Sequence, residues 1–257
     1  MGKEVPGLFI TGTDTGVGKT HVATIIVRQL RNSGYHVGVY KPVASGCEKI
    51  RGRLVSEDAF KLWDAAGRPG PIARVCPQAF AAPLAPHLAA ALEGKKVDWA
   101  LAVRGFEYWC RRSDIIIVEG AGGLLSPVTE EHYVADLAES INLPLVVVTK
   151  NVLGTINQTL QTLMAAANFG QGLPVAGIVV NEPLDPASDL SSHYNVEELQ
   201  KRCGVPILAH VRWKATESDR QVDWFKLARQ HQISKSKCLG TPGGVSLREG
   251  SKKIPLP

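Results

Sequence analysis

The sequence predicts a single α/β domain built on a doubly wound, mostly parallel sheet with helices on both faces. Three observations predict it. Short aliphatic and β-branched runs alternate with helix-length amphipathic segments from about residue 8 to residue 211. The runs at 114–119 (DIIIVE), 145–149 and 175–180 are mostly apolar on both of their faces, as central strands covered on both sides must be. A glycine-rich stretch, Gly12 to Gly18, also lies directly between the first strand and the first helix, where such sheets open toward a ligand.

Taken in order, residues 8–11 read as a short buried strand and 19–33 as a helix that Gly34 ends. Residues 37–40 are the second strand. Helical stretches near 56–66 and 86–92 follow, with a Pro/Ala-rich loop between them. Residues 98–112 are expected to form one helix. Asp98 is its N-cap, and Trp99, Ala102, Val103, Phe106, Trp109 and Cys110 recur at helical spacing on one face. The strand at 114–119 comes next, and the strands at 145–149 and 175–180 enclose a helix at 155–169 closed by Gly170; 207–211 is the last strand. Residues 1–231 make up the domain, and 232–257 form a basic tail rich in Ser, Gly, Lys and Pro, flexible by composition.

Composition excludes several classes of function. A chain of 257 residues with 44% hydrophobic and 21% charged residues buries a full core. It has no uninterrupted apolar run of about 18 residues, so no membrane-spanning helix is expected. The first seven residues are too short and too acidic for a secretory leader. Five scattered cysteines without a C-x-x-C pair point to reduced thiols and a cytoplasmic protein. The net charge of +5 resides at the C-terminal end: from Lys226 onward seven Lys and Arg face one Glu, which leaves the rest close to neutral. No aromatic residue follows Phe225 to stack on a base, so nucleic acid is not an expected partner.

The chemistry centres on Gly12, Gly16, Gly18, Lys19 and Thr20 between strand and helix. Backbone N–H groups of such a loop, with the first helical turn, converge on phosphates. Lysine reaches the β- and γ-phosphates, and the threonine hydroxyl is a ligand for Mg²⁺. Here Thr13 stands where a Gly or Ala is common. This is a P-loop nucleotide site that takes Mg·ATP and uses its γ-phosphate. Partition-type ATPase switches carry a second lysine where this chain has Asp14, and no Asn-Lys-x-Asp guanine reader is present, Thr149-Lys150-Asn151-Val152 not supplying one. ATP is therefore favoured over GTP. A glutamine-hydrolysing ligase needs a nucleophilic cysteine on a glycine-rich turn, which Cys203, near His210, lacks.

Two strand ends add charge. Glu119 closes the DIIIVE strand beside the loop, suited to hold Mg²⁺ directly or through water, and Gly120-Ala121-Gly122-Gly123 offers further N–H donors. Lys41 follows the second strand. Position alone leaves two roles open for it, a solvated strand end or a charge for transferring phosphoryl oxygens. Ser45 and Gly46 continue its loop as candidate substrate donors. Asp58 fits a helix-dipole role or a second magnesium ligand. His87 reads as structural, and the five tryptophans do not form a stacking platform.

Three of these stretches, 11–20 (TGTDTGVGKT), 40–46 (YKPVASG) and 118–123 (VEGAGG), together with Pro86-His87, Gly154-Thr155-Ile156-Asn157 and Val180-Asn181, resemble the dethiobiotin synthetase family, in order across about residues 7–215. The resemblance implies an ATP-dependent ring closure in which 7,8-diaminononanoate and CO₂ give dethiobiotin. It implies Lys19 and Lys41 as catalytic groups and Thr20, Asp58 and Glu119 as Mg²⁺ ligands. ATP contacts are implied at Gly16, Val17, Gly18, Lys19, Thr20, His21, Asp58, Glu119, Gly120, Ala121, Gly122, Asn181 and Glu182, with Asn181 reading adenine. Thr15, Lys41, Ser45 and Gly122 would meet the diamine or its carbamate. Family members act as homodimers, and Gly154, Thr155 and Asn157 would receive the substrate's carboxylate from the partner subunit. Arg212-Trp213 stands where the family usually has Pro-Trp, and the tail has no counterpart.

Overall fold

The computed structural model describes residues 5–50 and 52–236. Residues 237–257, most of the expected tail, lie outside the described residues. The chain runs β1 (Gly7–Gly12), α1 (Lys19–Asn32), β2 (Val37–Tyr40), a small hairpin of β3 (Glu48–Ile50) and β4 (Arg53–Val55), and α2 (Glu57–Ala65). Next come α3 (Ile72–Val75), α4 (Pro86–Leu92), α5 (Trp99–Arg104), α6 (Glu107–Cys110), β5 (Ile115–Glu119) and α7 (Val134–Ile141). The remainder is β6 (Leu145–Lys150), α8 (Thr155–Asn168), β7 (Val175–Asn181), two short 3-10 turns, α9 (Asn195–Arg202), β8 (Ile207–Val211) and α10 (Trp224–Ser236).

Six strands form one parallel sheet in the order β2-β5-β1-β6-β7-β8. Every residue of β1, β2 and β5 is buried. Successive side chains point to opposite faces, so burial at every position means that helices cover both sides. The expected doubly wound sheet is therefore the observed one. Its order reverses at β1, which pairs with β5 on one side and β6 on the other. That is the switch point where the loops at the carboxyl ends separate and leave a crevice. No helix among the described residues is long and apolar enough to cross a membrane.

The single helix expected over 98–112 is two short helices, α5 and α6, broken at Gly105. The cause is a side chain sixty residues upstream. The Tyr40 hydroxyl lies 2.9 Å from the carbonyl of Leu101 and 3.1 Å from that of Ala102, its proton shared between them. The Ala102 carbonyl would otherwise accept the next helical hydrogen bond. Tyr40 comes so near that a Cβ at position 105 would collide with its hydroxyl, so glycine is the residue that fits. Asp98 caps α5 as expected, accepting from Leu101 N–H at 2.9 Å. The apolar face divides accordingly: Ala102 and Trp109 are fully buried, whereas Trp99 is half-buried and stacks on His132 at 4.0 Å between ring centroids.

The pattern reading did not register α7, α9, α10 or the hairpin, and α3 lies inside the Pro/Ala-rich stretch read as loop. In α9 only Asn195 and Leu199 are buried, too few for a visible stripe. Trp109 anchors the core beneath β2 and β5, its indole N–H donating to the Arg74 carbonyl at 3.2 Å and its ring meeting Tyr108 edge-on. Replacing it with alanine removes a large, fully buried ring and leaves a cavity. Trp109→Ala is expected to lower unfolding free energy by about 3–5 kcal/mol in urea titrations.

Candidate active site

Three neighbouring strands deliver the charged residues to one point. β1 leads into the phosphate loop, β5 ends at Glu119, and β2 is followed at once by Lys41. The register places Ile10 beside Glu119 and Tyr40 beside Val118, so the three strand ends are level. Parallel pairing fixes this alignment before any side chain is considered.

The loop itself is preorganised. Gly16 and Gly18 have φ of 72° and 90°, in the left-handed region that side chains disfavour. Gly18 precedes α1 without any side-chain cap, so the first turn's N–H groups face the crevice uncapped, as an anion site requires. Lys19 is buried, its Nζ donating to the Asp14 carbonyl at 3.0 Å. Burial pulls the Lys19 ammonium down to about 8 despite the opposing pull of Glu119. Within the loop the Asp14 carboxylate accepts from Thr15 N–H at 2.7 Å, and Thr15 is exposed. Thr13 fits here because its hydroxyl pairs with Thr149 at 3.2 Å.

Glu119 is the convergence point. It is 1% exposed, and its Oε1 accepts from Lys41 Nζ at 2.6 Å and from the Thr20 hydroxyl at 2.8 Å. Lys41 also reaches Asp58 Oδ2 at 3.0 Å. Burial works against the charged Lys41, but Glu119 and Asp58 outweigh it and hold the ammonium above its ordinary value. Burial likewise opposes the Asp58 charge, and Lys41, by its charge and its hydrogen bond, keeps that carboxyl below its ordinary value. Thr20, Lys41, Asp58 and Glu119, chosen from separate stretches of sequence, are thus brought into one cluster.

The donor set suits a small hard cation. It contains two carboxylates and a hydroxyl, and Glu119 Oε2 is buried without a hydrogen-bond partner. Among the described residues no three His, Cys, Asp or Glu side chains gather into a metal group. A donor set this sparse matches Mg²⁺, which retains waters and takes substrate phosphate oxygens.

The glycine run after Glu119 presses against the phosphate loop: a Cβ at Gly123 would lie 3.5 Å from the Gly12 carbonyl and 3.6 Å from the Asp14 Cα. Not all of its N–H groups are free, as the sequence suggested. Gly120 donates to the Ile10 carbonyl at 3.0 Å and Gly123 to the Ser126 hydroxyl at 2.8 Å. Ala121 and Gly122 are half-buried, and Gly122 has φ 73°. The Lys41–Cys47 loop, which carries the half-buried Ser45, is pinned to the Pro/Ala-rich segment by hydrogen bonds from Lys41, Ala44, Gly46 and Cys47 N–H to the carbonyls of Val75, Gln78, Ala82 and Phe80.

On the other side of β1, Asn181 at the end of β7 donates its amide to the Val17 carbonyl at 3.0 Å, and this fixes the amide so that Oδ1 is left as an acceptor. Glu182 follows, buried. It accepts from Asn151 at 2.9 Å and from Trp213 N–H at 3.3 Å, and it lies 2.9 Å from His210 and 3.6 Å from the exposed Arg212. His21 is exposed and pairs with the Ala215 carbonyl at 3.0 Å. At α8, Gly154 and Asn157 are exposed, while Thr155 is fully buried: its N–H donates to Val152 and its hydroxyl pairs with Thr149 at 2.7 Å. Thr159 donates to the same Thr149 oxygen at 3.0 Å. Sequence reasoning missed this threonine cluster and the Asn151–Glu182–His210 network, since no local pattern marks either. His87 lies at the start of α4 with Nδ1 buried and unpartnered.

Sequence comparison agrees with this geometry. Residues 6–220 match the AAA domain family. The protein named ATP-dependent dethiobiotin synthetase BioD from Rhodopirellula baltica is 42% identical over 215 residues, covering 79% of this chain and 83% of that protein. The chain belongs to the dethiobiotin synthetase family. A relative of the same name from Anaeromyxobacter dehalogenans is 42% identical over 208 residues, covering 81% and 90%, and one from Bacillus subtilis is 38% identical over 202 residues, covering 79% and 85%.

Two predictions concern how this synthetase-family site is built. A Cβ at Gly18 would run into the Asn181 amide and hold a left-handed φ, so Gly18→Ala is expected to weaken ATP binding at least tenfold by calorimetry. Burial holds the His210 imidazole below its ordinary 6.5, and Arg212 adds to this, while Glu182 and Asp219 pull it upward. Folding then favours the neutral ring. That contribution is complete above about pH 6.5 and is lost as pH falls from there toward the folded-state value. His210→Asn should therefore lose less stability than wild type between about pH 7.5 and 5.5 in denaturant titrations.

Proposed function

We propose that the enzyme is an ATP-dependent dethiobiotin synthetase, joining 7,8-diaminononanoate and CO₂ into the ureido ring in the penultimate step of biotin synthesis. The observation that carries this reading is the meeting of Thr20, Lys41 and Glu119 at one carboxylate oxygen beside the phosphate loop, in a chain of this family. One substrate amine takes up CO₂ to form a carbamate. A carbamate oxygen attacks the γ-phosphorus, ADP leaves, and a carbamic–phosphoric anhydride results. The second amine then attacks the carbonyl, closing the ring and expelling phosphate.

Each step gathers negative charge on small oxygens, and the chain's cations meet it. Lys19 neutralises the β- and γ-phosphates from the loop, and Lys41 approaches from β2 toward the carbamate and the transferring phosphoryl group. Thr15, Ser45 and Gly122 border the place where the carbamate forms. Thr20, Asp58 and Glu119 hold Mg²⁺, which when bound screens the phosphate oxygens. Asn181 offers its free Oδ1 to the exocyclic amino group of adenine, a preference that guanine O6 does not satisfy. Glu182, His21 and Arg212 border the base side.

The working form in this reading is a homodimer in the cytoplasm. Leu153, 81% exposed beside Gly154, and Met164, 66% exposed on α8, supply apolar area for a second copy. The substrate's carboxylate tail would then lie against the partner's Gly154 and Asn157. The four described cysteines are free thiols, in keeping with a reducing compartment.

The deciding experiment follows phosphate release from Mg·ATP and bicarbonate with and without 7,8-diaminononanoate, in wild type and Lys41→Ala. Release should require the diamine and yield dethiobiotin by mass. Lys41→Ala should reduce it by roughly 10²–10³-fold, the usual effect of removing one electrostatic stabiliser of a transition state. Release indifferent to the diamine would move a switch-type ATPase to first place.

A further inference from the structure

We infer that Lys41 has a second role before catalysis: it is the counter-ion that occupies the metal's electrostatic position in the empty enzyme, so that a divalent cation binds only together with nucleotide. This rests on the reading of Thr20, Asp58 and Glu119 as the metal ligands.

The geometry is direct. All three proposed ligands are tied together by one buried ammonium and the carboxylate it grips. Lys41 Nζ lies 2.6 Å from Glu119 Oε1 and 3.0 Å from Asp58 Oδ2, and Thr20 donates to that same Glu119 oxygen. An ammonium between two carboxylates fills the region a cation would seek. Lys41 is buried, and Glu119 and Asp58 are its only ion-pair partners among the described residues.

Charge balance points the same way. Lys19 and Lys41 carry two positive charges, and Glu119 and Asp58 carry two negative ones, so the empty cluster is neutral. A lone divalent ion would add two positive charges beside two ammonium groups, one of them buried with Glu119. A nucleoside triphosphate arriving with its metal brings more negative charge than the metal brings positive. Its γ-phosphate gives Lys41 a new partner, which frees the Glu119 and Asp58 oxygens. Lys41 thus moves from ligand holder to phosphoryl clamp, and the same side chain links the two states.

The test is Mn²⁺ binding to the nucleotide-free full chain, read from the free-ion electron paramagnetic resonance signal. Wild type should bind Mn²⁺ weakly alone and tightly with a non-hydrolysable ATP analogue. Lys41→Met should bind Mn²⁺ without nucleotide at least tenfold more tightly than wild type, with a melting temperature raised by Mn²⁺ that wild type does not show. Adding Asp58→Asn to Lys41→Met should remove the gain. If Lys41→Met does not fold, Lys41→Gln, whose amide still donates to Glu119, takes its place in the same titration. Nucleotide-free wild type binding Mn²⁺ as tightly as the Lys41 variant overturns the inference. Glu119→Gln with the ATP analogue tests the ligand reading separately. Binding equal to wild type there overturns both, whereas reduced binding leaves the ligand reading standing whatever the Lys41 result.

Discussion

An ionised carboxylate in a dry interior persists only where cations and donors replace its water. Glu119 meets that condition through Lys41, just past the carboxyl end of β2, and Thr20, in the first turn of α1 beyond the loop that follows β1. The pairing of β2, β5 and β1 is therefore more than scaffolding. If β5 slipped by one residue against either neighbour, Glu119 would turn to the other face and leave both Lys41 and Thr20. The ion pair, the register and the phosphate loop form one constraint, and the helices on both faces keep it dry.

The crevice has two sides that meet at β1. On the β5 side lie charges suited to phosphate. On the β6 and β7 side lie amides and a buried carboxylate suited to a nucleoside. Asn181 joins them by holding the Val17 carbonyl, so the geometry of the base side and the shape of the loop are set together. The same contact explains why Gly18 carries no side chain.

Much of this was legible in the sequence because it is carried by local pattern. Strand–helix alternation gave the sheet, and the Gly-Lys-Thr after a buried strand located the phosphate site. The strand-end positions of Glu119 and Lys41 placed both at the crevice, since parallel strands of one sheet end on the same side. What stayed hidden depends on contacts between distant residues. Tyr40 breaks the helix at Gly105 through a contact no window of fifteen residues contains. Asp58 alone on a first helical turn has a common dipole explanation, and only the fold brings it to Lys41. The full burial of Thr155, the consumed N–H groups of Gly120 and Gly123, and the Glu182–His210 pair are likewise decided by what folds against them.

The threonine cluster places a limit on sequence drift. A hydroxyl has one proton and two lone pairs, and Thr149 uses all three, toward Thr13, Thr155 and Thr159. Valine at position 149 keeps the shape but strands two buried hydroxyls and a half-buried one at once. A single neutral step away from this arrangement is therefore unavailable to Thr149, whereas Thr13, at the cluster's solvent edge, is free to change first. Across descendants of this chain, positions 149, 155 and 159 should change as a group, and a lineage that has lost one hydroxyl should be found to have lost its companions.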